Sequence, residues 1–183
     1  MHFSIQLKLY YLLILNVKNK VNFSYCDGKV KDMNIRFEKG INEENASLVC
    51  KWSNEKGEKF QEQWMGDLIS FPIDYEKLKE LPNLHSIYVD DEFMGTIQQV
   101  RIEEDNIHFG RFMINPAKTG MGYGEKILNE FIDLNFKTYD VNSVTLSVYY
   151  YNKKAKKLYE KMGFKHYKTL EDPILRYIMK RYR

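Results

Sequence analysis

Gly120, Gly122 and Gly124 stand at alternate positions between an apolar stretch ending at Ile114 and a helical stretch that opens near Gly122. A strand, a glycine turn and a helix start, in that order, aim unpaired backbone N–H groups at one point, and the aligned peptide dipoles favour negative charge there. Glycine leaves the backbone open to a phosphate and accepts positive φ, which costs other residues about 1 to 2 kcal/mol. The chemistry implied is binding of a phosphate-bearing cofactor. The plainer reading is a glycine turn that holds nothing.

What the glycines fail to match narrows the cofactor. A P-loop carries Lys and then Ser or Thr directly after its last glycine, whereas Gly124 is followed by Glu125-Lys126-Ile127. A dinucleotide fingerprint has two residues before its final glycine, but here the spacing is strictly alternate and the loop lies late in the chain. Further on, Val144 to Tyr149 reads as a β-branched and aromatic strand, followed by a lysine-rich segment from Asn152 to Phe164. This segment closely resembles the second signature of the GNAT superfamily of N-acetyltransferases, in which Asn, Ala, Leu-Tyr and Gly-Phe recur at this spacing. Here they are Asn152, Ala155, Leu158-Tyr159 and Gly163-Phe164. The glycine loop is likewise similar to the superfamily's acetyl-coenzyme A loop, Arg/Gln-x-x-Gly-x-Gly/Ala, with Gly122 and Gly124 as its glycines. Phe112-Met113-Ile114-Asn115-Pro116 is similar to the strand and Val-x-Pro that lead into it.

The resemblance implies acetyl-coenzyme A as acetyl donor, its pyrophosphate held by backbone donors of the loop from Thr119 through Gly120, Met121, Gly122 and Tyr123 to Gly124. Thr119 stands where the family has Arg or Gln, so a long side-chain donor is missing, and Lys118 is the neighbour that can replace its charge. In this superfamily the central strands splay apart, and the pantetheine arm bonds to exposed strand backbone; by position Phe112, Met113 and Ile114 provide that edge. Asn152 is an N-cap candidate and, by resemblance, a cofactor contact. Tyr159 is by resemblance the general acid that protonates the departing thiolate. The acceptor pocket falls to the first helices and the loop between them, with Trp52, Trp64 and Phe71 as candidate wall residues. Glu103, Glu104 and Asp90 lie near strand ends as candidate bases, although turn chemistry alone accounts for them.

These residues belong to a chain of 183 residues, 44% hydrophobic and 15% aromatic, enough to bury a continuous core. A net charge of +3 and a pI near 8.6 do not demand nucleic acid and do not repel an anionic cofactor. Cys26 and Cys50 form no CxxC pair, and His2, His85, His108 and His166 lack metal-site spacing, so no metal is predicted and the cysteines are read as free thiols in the cytoplasm. Leu9 to Val17 is too short to span a bilayer and lacks a signal-type cleavage site. Residues 1–32 read as an N-terminal extension outside the core, and 33–183 as the acetyltransferase domain.

The elements expected to position the site are a strand over 33–37, a helix over 43–53, an aromatic irregular segment through Phe71-Pro72, and a short helix over 75–81. Strands follow at 84–90, 93–103 and 106–114, then a helix at 122–136, a strand at 143–149, a helix at 152–162 and strands at 164–169 and 174–180. The expected fold is α/β (α+β): a GNAT-like mixed, mostly antiparallel sheet of six to seven strands flanked by helices. The function implied is acetyl transfer to a primary amine of a small molecule or peptide, and a homodimer is compatible with it. A non-catalytic acyl-coenzyme A-binding module and an acetyltransferase acting on charged tRNA are the alternatives. The lysines of the 152–162 helix support the latter only weakly.

Overall fold

A computed structural model describes residues 33–183; the extension at 1–32 lies outside the described residues. Seven strands form one sheet in the order β1-β2-β3-β4-β5-β7-β6. In chain order these are β1 (Ile35–Lys39), β2 (Leu84–Val89), β3 (Glu92–Ile102), β4 (Asn106–Ile114), β5 (Ser143–Tyr149), β6 (Lys165–Leu170) and β7 (Arg176–Tyr182). Every neighbouring pair is antiparallel except β4 and β5. The β2–β3 hairpin turns on Asp90 and Asp91, both at positive φ, a conformation aspartate tolerates better than most residues.

Among the described residues five α-helices flank the sheet: α1 (Glu43–Asn54), α2 (Glu58–Met65), α3 (Tyr75–Lys79), α4 (Tyr123–Thr138) and α5 (Lys153–Lys161). The start of α1 is fixed by Asn42, whose side chain accepts from the Asn45 amide at 2.8 Å, with Glu43 and Glu44 complementing the helix dipole. Helix α2 corrects the expectation of irregular chain before Phe71. Glycines at φ 82 and 88 bracket it, and of its inward residues Met65 is apolar while Gln61 is polar. Gln61 is nonetheless buried, because its amide donates to the Ile69 carbonyl at 3.0 Å. A helix this short with a polar residue on its buried face leaves almost no apolar period to read.

Two cores result. One holds Ile107, Phe109, Ile127, Leu128, Phe131, Ile132, Val144, Leu146 and Val148, joining α4 to the central strands; α5 packs on it through Ala155, Leu158 and Tyr159. The other, built on α1 to α3, gathers Ala46, Val49, Met65, Ile73, Leu78, Leu84 and Met113. Ile107 and Phe109 belong to the first core and Met113 to the second, although odd positions of a regular strand share one face. The reason is a bulge in β4. Gln98 pairs with Gly110 and Thr96 with Met113, so β4 carries one extra residue there, and Arg111 takes φ 46. One extra residue inverts the alternation, which leaves Phe112 and Ile114 against the first core and Met113 in the second.

The same bulge coincides with a fork. Strand β4 pairs with β5 only at Asn106↔Ser143, Ile107↔Val144 and His108↔Thr145, yet β4 runs on to Ile114 and β5 to Tyr149. Past the bulge β4 stays with β3 at unusually close range. A Cβ at Gly95 would lie 2.0 Å from the Met113 carbonyl oxygen, and Gly95 itself has φ 151. Gly95→Ala is therefore expected to cost more than about 2 kcal/mol of unfolding free energy, since backbone rather than a pliable side chain must move. Chemical denaturation checks this; an unchanged midpoint would mean that β3 and β4 can separate here without loss.

Candidate active site

The loop after β4 is shaped before any ligand is considered. Asn115 caps a 3-10 turn at Pro116–Lys118 by accepting from the Ala117 amide at 3.0 Å, and Thr119 closes it by donating its N–H to the Pro116 carbonyl at 3.2 Å. Gly120 and Gly122 both follow with φ near the left-handed region, at 88 and 85, and α4 starts without a side-chain cap. The first backbone bond of that helix is Lys126 N–H to the Gly122 carbonyl at 3.3 Å. From Gly120 to Glu125 no backbone N–H has a protein acceptor among the described residues. Nothing lies within 4 Å of a Cβ built on Gly120, so the loop surface is open. Six consecutive free donors at a helix N-terminus, with space above them, suit an anionic group such as a pyrophosphate. Glu125, the acid in the first turn, is paired with Lys161 at 2.6 Å, which removes most of its repulsion toward such a group.

Gly124 is where three elements meet. A Cβ there would lie 3.7 Å from Leu158 of α5, 3.9 Å from Phe112 and 4.0 Å from Ile114 of β4. The loop, the free β4 edge and α5 are thus in contact around one small residue. Helix α5 begins at Asn152, whose side-chain oxygen accepts from the Ala155 amide at 3.1 Å. Tyr159 packs edge-on to Phe164 with ring centroids 6.0 Å apart. Its hydroxyl has no hydrogen-bond partner among the described residues, and loss of solvation pushes its pKa up to about 12. The phenol consequently stays protonated at neutral pH, available as a donor.

The remaining expected residues fall as follows. Thr119 ends the 3-10 turn, Met121 is exposed and Tyr123 packs on the first core. Lys118 is held by Glu92 at 3.1 Å, so its charge is already shared. Trp52 stacks on Phe93 at 5.9 Å, and the Trp64 indole donates to the Ser53 hydroxyl at 3.0 Å; these contacts lie within the second core. Phe71 is partly exposed beside Pro72. Glu103, Glu104 and Asp90 are exposed turn residues; Asp90 accepts from the Asn34 amide and Glu103 from the Asn106 side chain. Among the described residues no His, Cys, Asp and Glu cluster of three or more is placed to hold a metal.

On the far side of the sheet from α4 the fork is polar. Ser143, Thr145, Ser147 and Tyr149 alternate with the core residues Val144, Leu146 and Val148. His108, at the apex of the fork, is buried with one ring nitrogen 2.9 Å from the Thr145 hydroxyl and the other 3.3 Å from that of Ser147. Thr145 also accepts from the Asn106 side chain at 3.0 Å, and the Thr145 and Ser147 hydroxyls can each donate to or accept from the ring nitrogen they face. This chain uses both nitrogens of a neutral ring. Desolvation above all, with help from Arg101, lowers the His108 pKa to about 4. Arg111 is half-buried, donating to the Met65 carbonyl at 3.2 Å and to the Gln98 side chain. Neither residue stands out in the sequence, because nothing local marks a lone His or Arg on a strand as buried.

The fold and this loop define an acyltransferase class, and the family follows. The model of the acetyltransferase (GNAT) family matches residues 46–164, and the chain belongs to that family. It is an enzyme, an N-acetyltransferase with acetyl-coenzyme A as its acetyl donor. It is similar to acetyltransferase PseH of Campylobacter jejuni subsp. jejuni serotype O:23/36 (strain 81-176), 29% identical over 146 residues, covering 72% of this chain and 84% of that protein. The crystal structure of Campylobacter jejuni N-acetyltransferase PseH in complex with acetyl coenzyme A superimposes with a TM-score of 0.58 at 24% identity, over 82% of this chain and 99% of that one. The spermidine N-acetyltransferase from Vibrio cholerae in complex with CoA and spermine gives a TM-score of 0.64 at 17% identity, over 82% and 95%. No helix among the described residues is long and apolar enough to cross a membrane.

Burial of His108 has a measurable consequence. In the fold it titrates near 4, against 6.5 for a free imidazole, so between those values the unfolded chain binds the extra proton and the native state does not. Stability should be lost as pH falls from about 6.5 to about 4, by up to about 3 kcal/mol for this group. Denaturation midpoints measured across that window in wild type and His108→Gln should show a much shallower acid slope in the variant; equal slopes would place the acid sensitivity elsewhere.

Proposed function

We propose that this enzyme moves the acetyl group of acetyl-coenzyme A directly to a primary amine of a small molecule or peptide, with Tyr159 as general acid. The observation that carries this reading is the convergence at Gly124 of an uncapped anion cradle, an unpaired strand edge and the helix that bears a protonated, unpartnered tyrosine. The cofactor, when bound, supplies an acetyl group already activated as a thioester. The N–H groups from Gly120 to Glu125 would hold its pyrophosphate, and the backbone of Phe112, Met113 and Ile114 would hold its arm along the free β4 edge. Strand N–H groups there can also stabilise the developing oxyanion, since they are oriented before reaction. Asn152 is placed at the start of the helix carrying Tyr159, so it orients that helix through its side-chain oxygen and leaves its side-chain NH2 for the cofactor, its backbone N–H being donated to the Tyr149 carbonyl.

Direct attack needs no covalent enzyme intermediate. The two substrates are brought together in one fork, and such alignment lowers a bimolecular barrier by about 7 to 11 kcal/mol at the limit. Tyr159 Oη keeps its proton until a strong base appears beside it, and a departing thiolate is such a base. Thr119 offers no long donor, so the cradle relies on backbone groups. The solved spermidine N-acetyltransferase acts on a small amine, which supports a small-amine acceptor for this relative of the same fold. A coenzyme A-dependent reaction of this kind, together with the free Cys50 thiol, fits the cytoplasm.

Two variants test the assignment. Gly122→Val should keep the fold but weaken acetyl-coenzyme A binding in calorimetry by at least about tenfold, because φ 85 is strained for a β-branched residue and its side chain would screen the free donors. Equal affinity in the folded variant removes the cradle from the site. Tyr159→Phe keeps the ring against Phe164, so thiol-release turnover should fall by about 10²- to 10⁴-fold while cofactor affinity and Tm stay near wild type. Intact turnover would leave another group protonating the sulfur.

A further inference from the structure

Charge is spread unevenly along the chain. Residues 153–183 carry eleven Lys and Arg against three Asp and Glu, in a chain whose totals are 28 and 25, so the remainder is net acidic. Asymmetry of this kind points to an anionic partner in a way that the modest overall charge does not. These residues build α5, β6 and β7, at one edge of the sheet. Met179 lies in the first core, so alternation turns Arg176, Ile178, Lys180 and Tyr182 to the opposite face, away from α4 and α5. The second core holds no residue of β5, β6 or β7, which leaves that face without a helix packed over it among the described residues.

Three lysines and two tyrosines crowd there. Lys165 and Lys180 stand directly opposite each other across β6 and β7, and neither they nor Lys168 form an ion pair among the described residues. Like charges set opposite on a sheet destabilise it. The Lys180 ammonium lies 5.0 Å from the ring centre of Tyr167 and 4.8 Å from that of Tyr182, and the two tyrosines are 61% and 65% exposed. Of the nearby carboxylates, Asp67 is bound to Arg176 and Asp105 to Asn142, while Glu171 and Asp172 lie in the β6–β7 turn. Protection of a sheet edge against stray pairing accounts for lysines on the outermost strand. It does not account for Lys180, whose strand is paired on both sides, or for two aromatic rings left in solvent beside it.

The chemistry of the face selects its occupant. A second copy of the chain would set lysines against lysines, and an acidic peptide would leave the rings unused. A single nucleotide strand presents a phosphate and an aromatic face in every repeat, so it engages ammonium groups and rings together, whereas a duplex hides its aromatic faces in its own stack. We propose that the face of β6 and β7 turned away from α5 docks a single strand of nucleic acid, with Lys165, Lys168 and Lys180 on phosphates and Tyr167 and Tyr182 against bases. The strand neutralises the opposed lysines that the fold leaves without counter-charge. It lies across the sheet from α4 and α5, so it does not compete with acetyl-coenzyme A, and the proposal does not depend on acetyl transfer.

The test is fluorescence anisotropy of the full chain with a labelled oligouridylate of about 12 nucleotides, set against an RNA duplex of equal length and an oligoglutamate of equal charge. The single strand should bind at least about tenfold tighter than either, with affinity falling as salt is raised. Lys165→Gln and Lys180→Gln should each weaken it and flatten the slope of log affinity against log salt by about 0.7. Lys165→Gln should also keep or raise Tm, because it removes one of two opposed charges, whereas a lysine kept for stability would lower it. Tyr167→Leu and Tyr182→Leu keep bulk and charge, so each should weaken the strand by about tenfold with the salt slope unchanged. Tm of each variant shows that it is folded, and calorimetry with acetyl-coenzyme A should give the wild-type affinity. Absence of strand binding, equal binding of the duplex or the oligoglutamate, or wild-type strand affinity in all four folded variants overturns the docking face and leaves amine acetylation standing.

Discussion

Pairing between the two central parallel strands stops after three residue pairs, and most of what is distinctive about this enzyme depends on that interruption. A sheet this size would ordinarily satisfy its interior backbone groups strand to strand, because an unpaired buried N–H or C=O is costly. Here β4 is held to β3 by the close approach at Gly95 and bent by the extra residue at Arg111, so its other edge cannot follow β5. The backbone beyond the fork is left without a β5 partner. The same bulge places Met113 in one core and Phe112 with Ile114 in the other, so both layers of helices are anchored to the stretch that borders the fork. Rigidity on both faces keeps the opening from closing by collapse.

Each face of the fork has its own chemistry. Toward α4 and α5 lie the open N–H groups, the basic helix surface and a tyrosine that holds its proton. Toward β5 and β7 lie hydroxyls, a neutral histidine and carboxylates beside stacked tyrosines. An acetyl transfer needs an anion site for the cofactor and a separate approach for the amine. A sheet opened between two strands can offer both without a deep cavity, one from each side. His108 fits this arrangement as a brace. Through its two ring nitrogens, one facing Thr145 and the other Ser147, it ties β4 to β5 at the last pair before they part.

How much of this was legible in the sequence differs by element. The strands and the long helices were readable within a few residues because each is long and regular in its apolar period, and α1, α4 and α5 carry capping or glycine signals at their starts. The cradle was readable because its chemistry is local: alternate glycines followed at once by a helix specify left-handed turns and free donors whatever the rest of the chain does. Helix α2 was not, since its buried Gln61 depends on a carbonyl eight residues away and looks like solvent-facing polarity in the sequence.

By itself, then, the sequence determined the order of elements, the glycine loop with its free donors and the family to which the two motifs belong, because these rest on interactions between residues close together in the chain. Only the tertiary structure decided where β4 parts from β5, that His108 is buried and Arg111 half-buried, and that Glu62 meets Tyr151 and Asp67 meets Arg176. Those features depend on pairing register and on desolvation by neighbours dozens of residues away. Trp52 and Trp64 make the same point in reverse. Read as candidate wall residues from their aromatic character, they are partly buried against the second core, Trp52 stacked on Phe93 and Trp64 bonded to Ser53, which the sequence did not show. Residue type states what a side chain can do, and packing decides which of those capacities is left free.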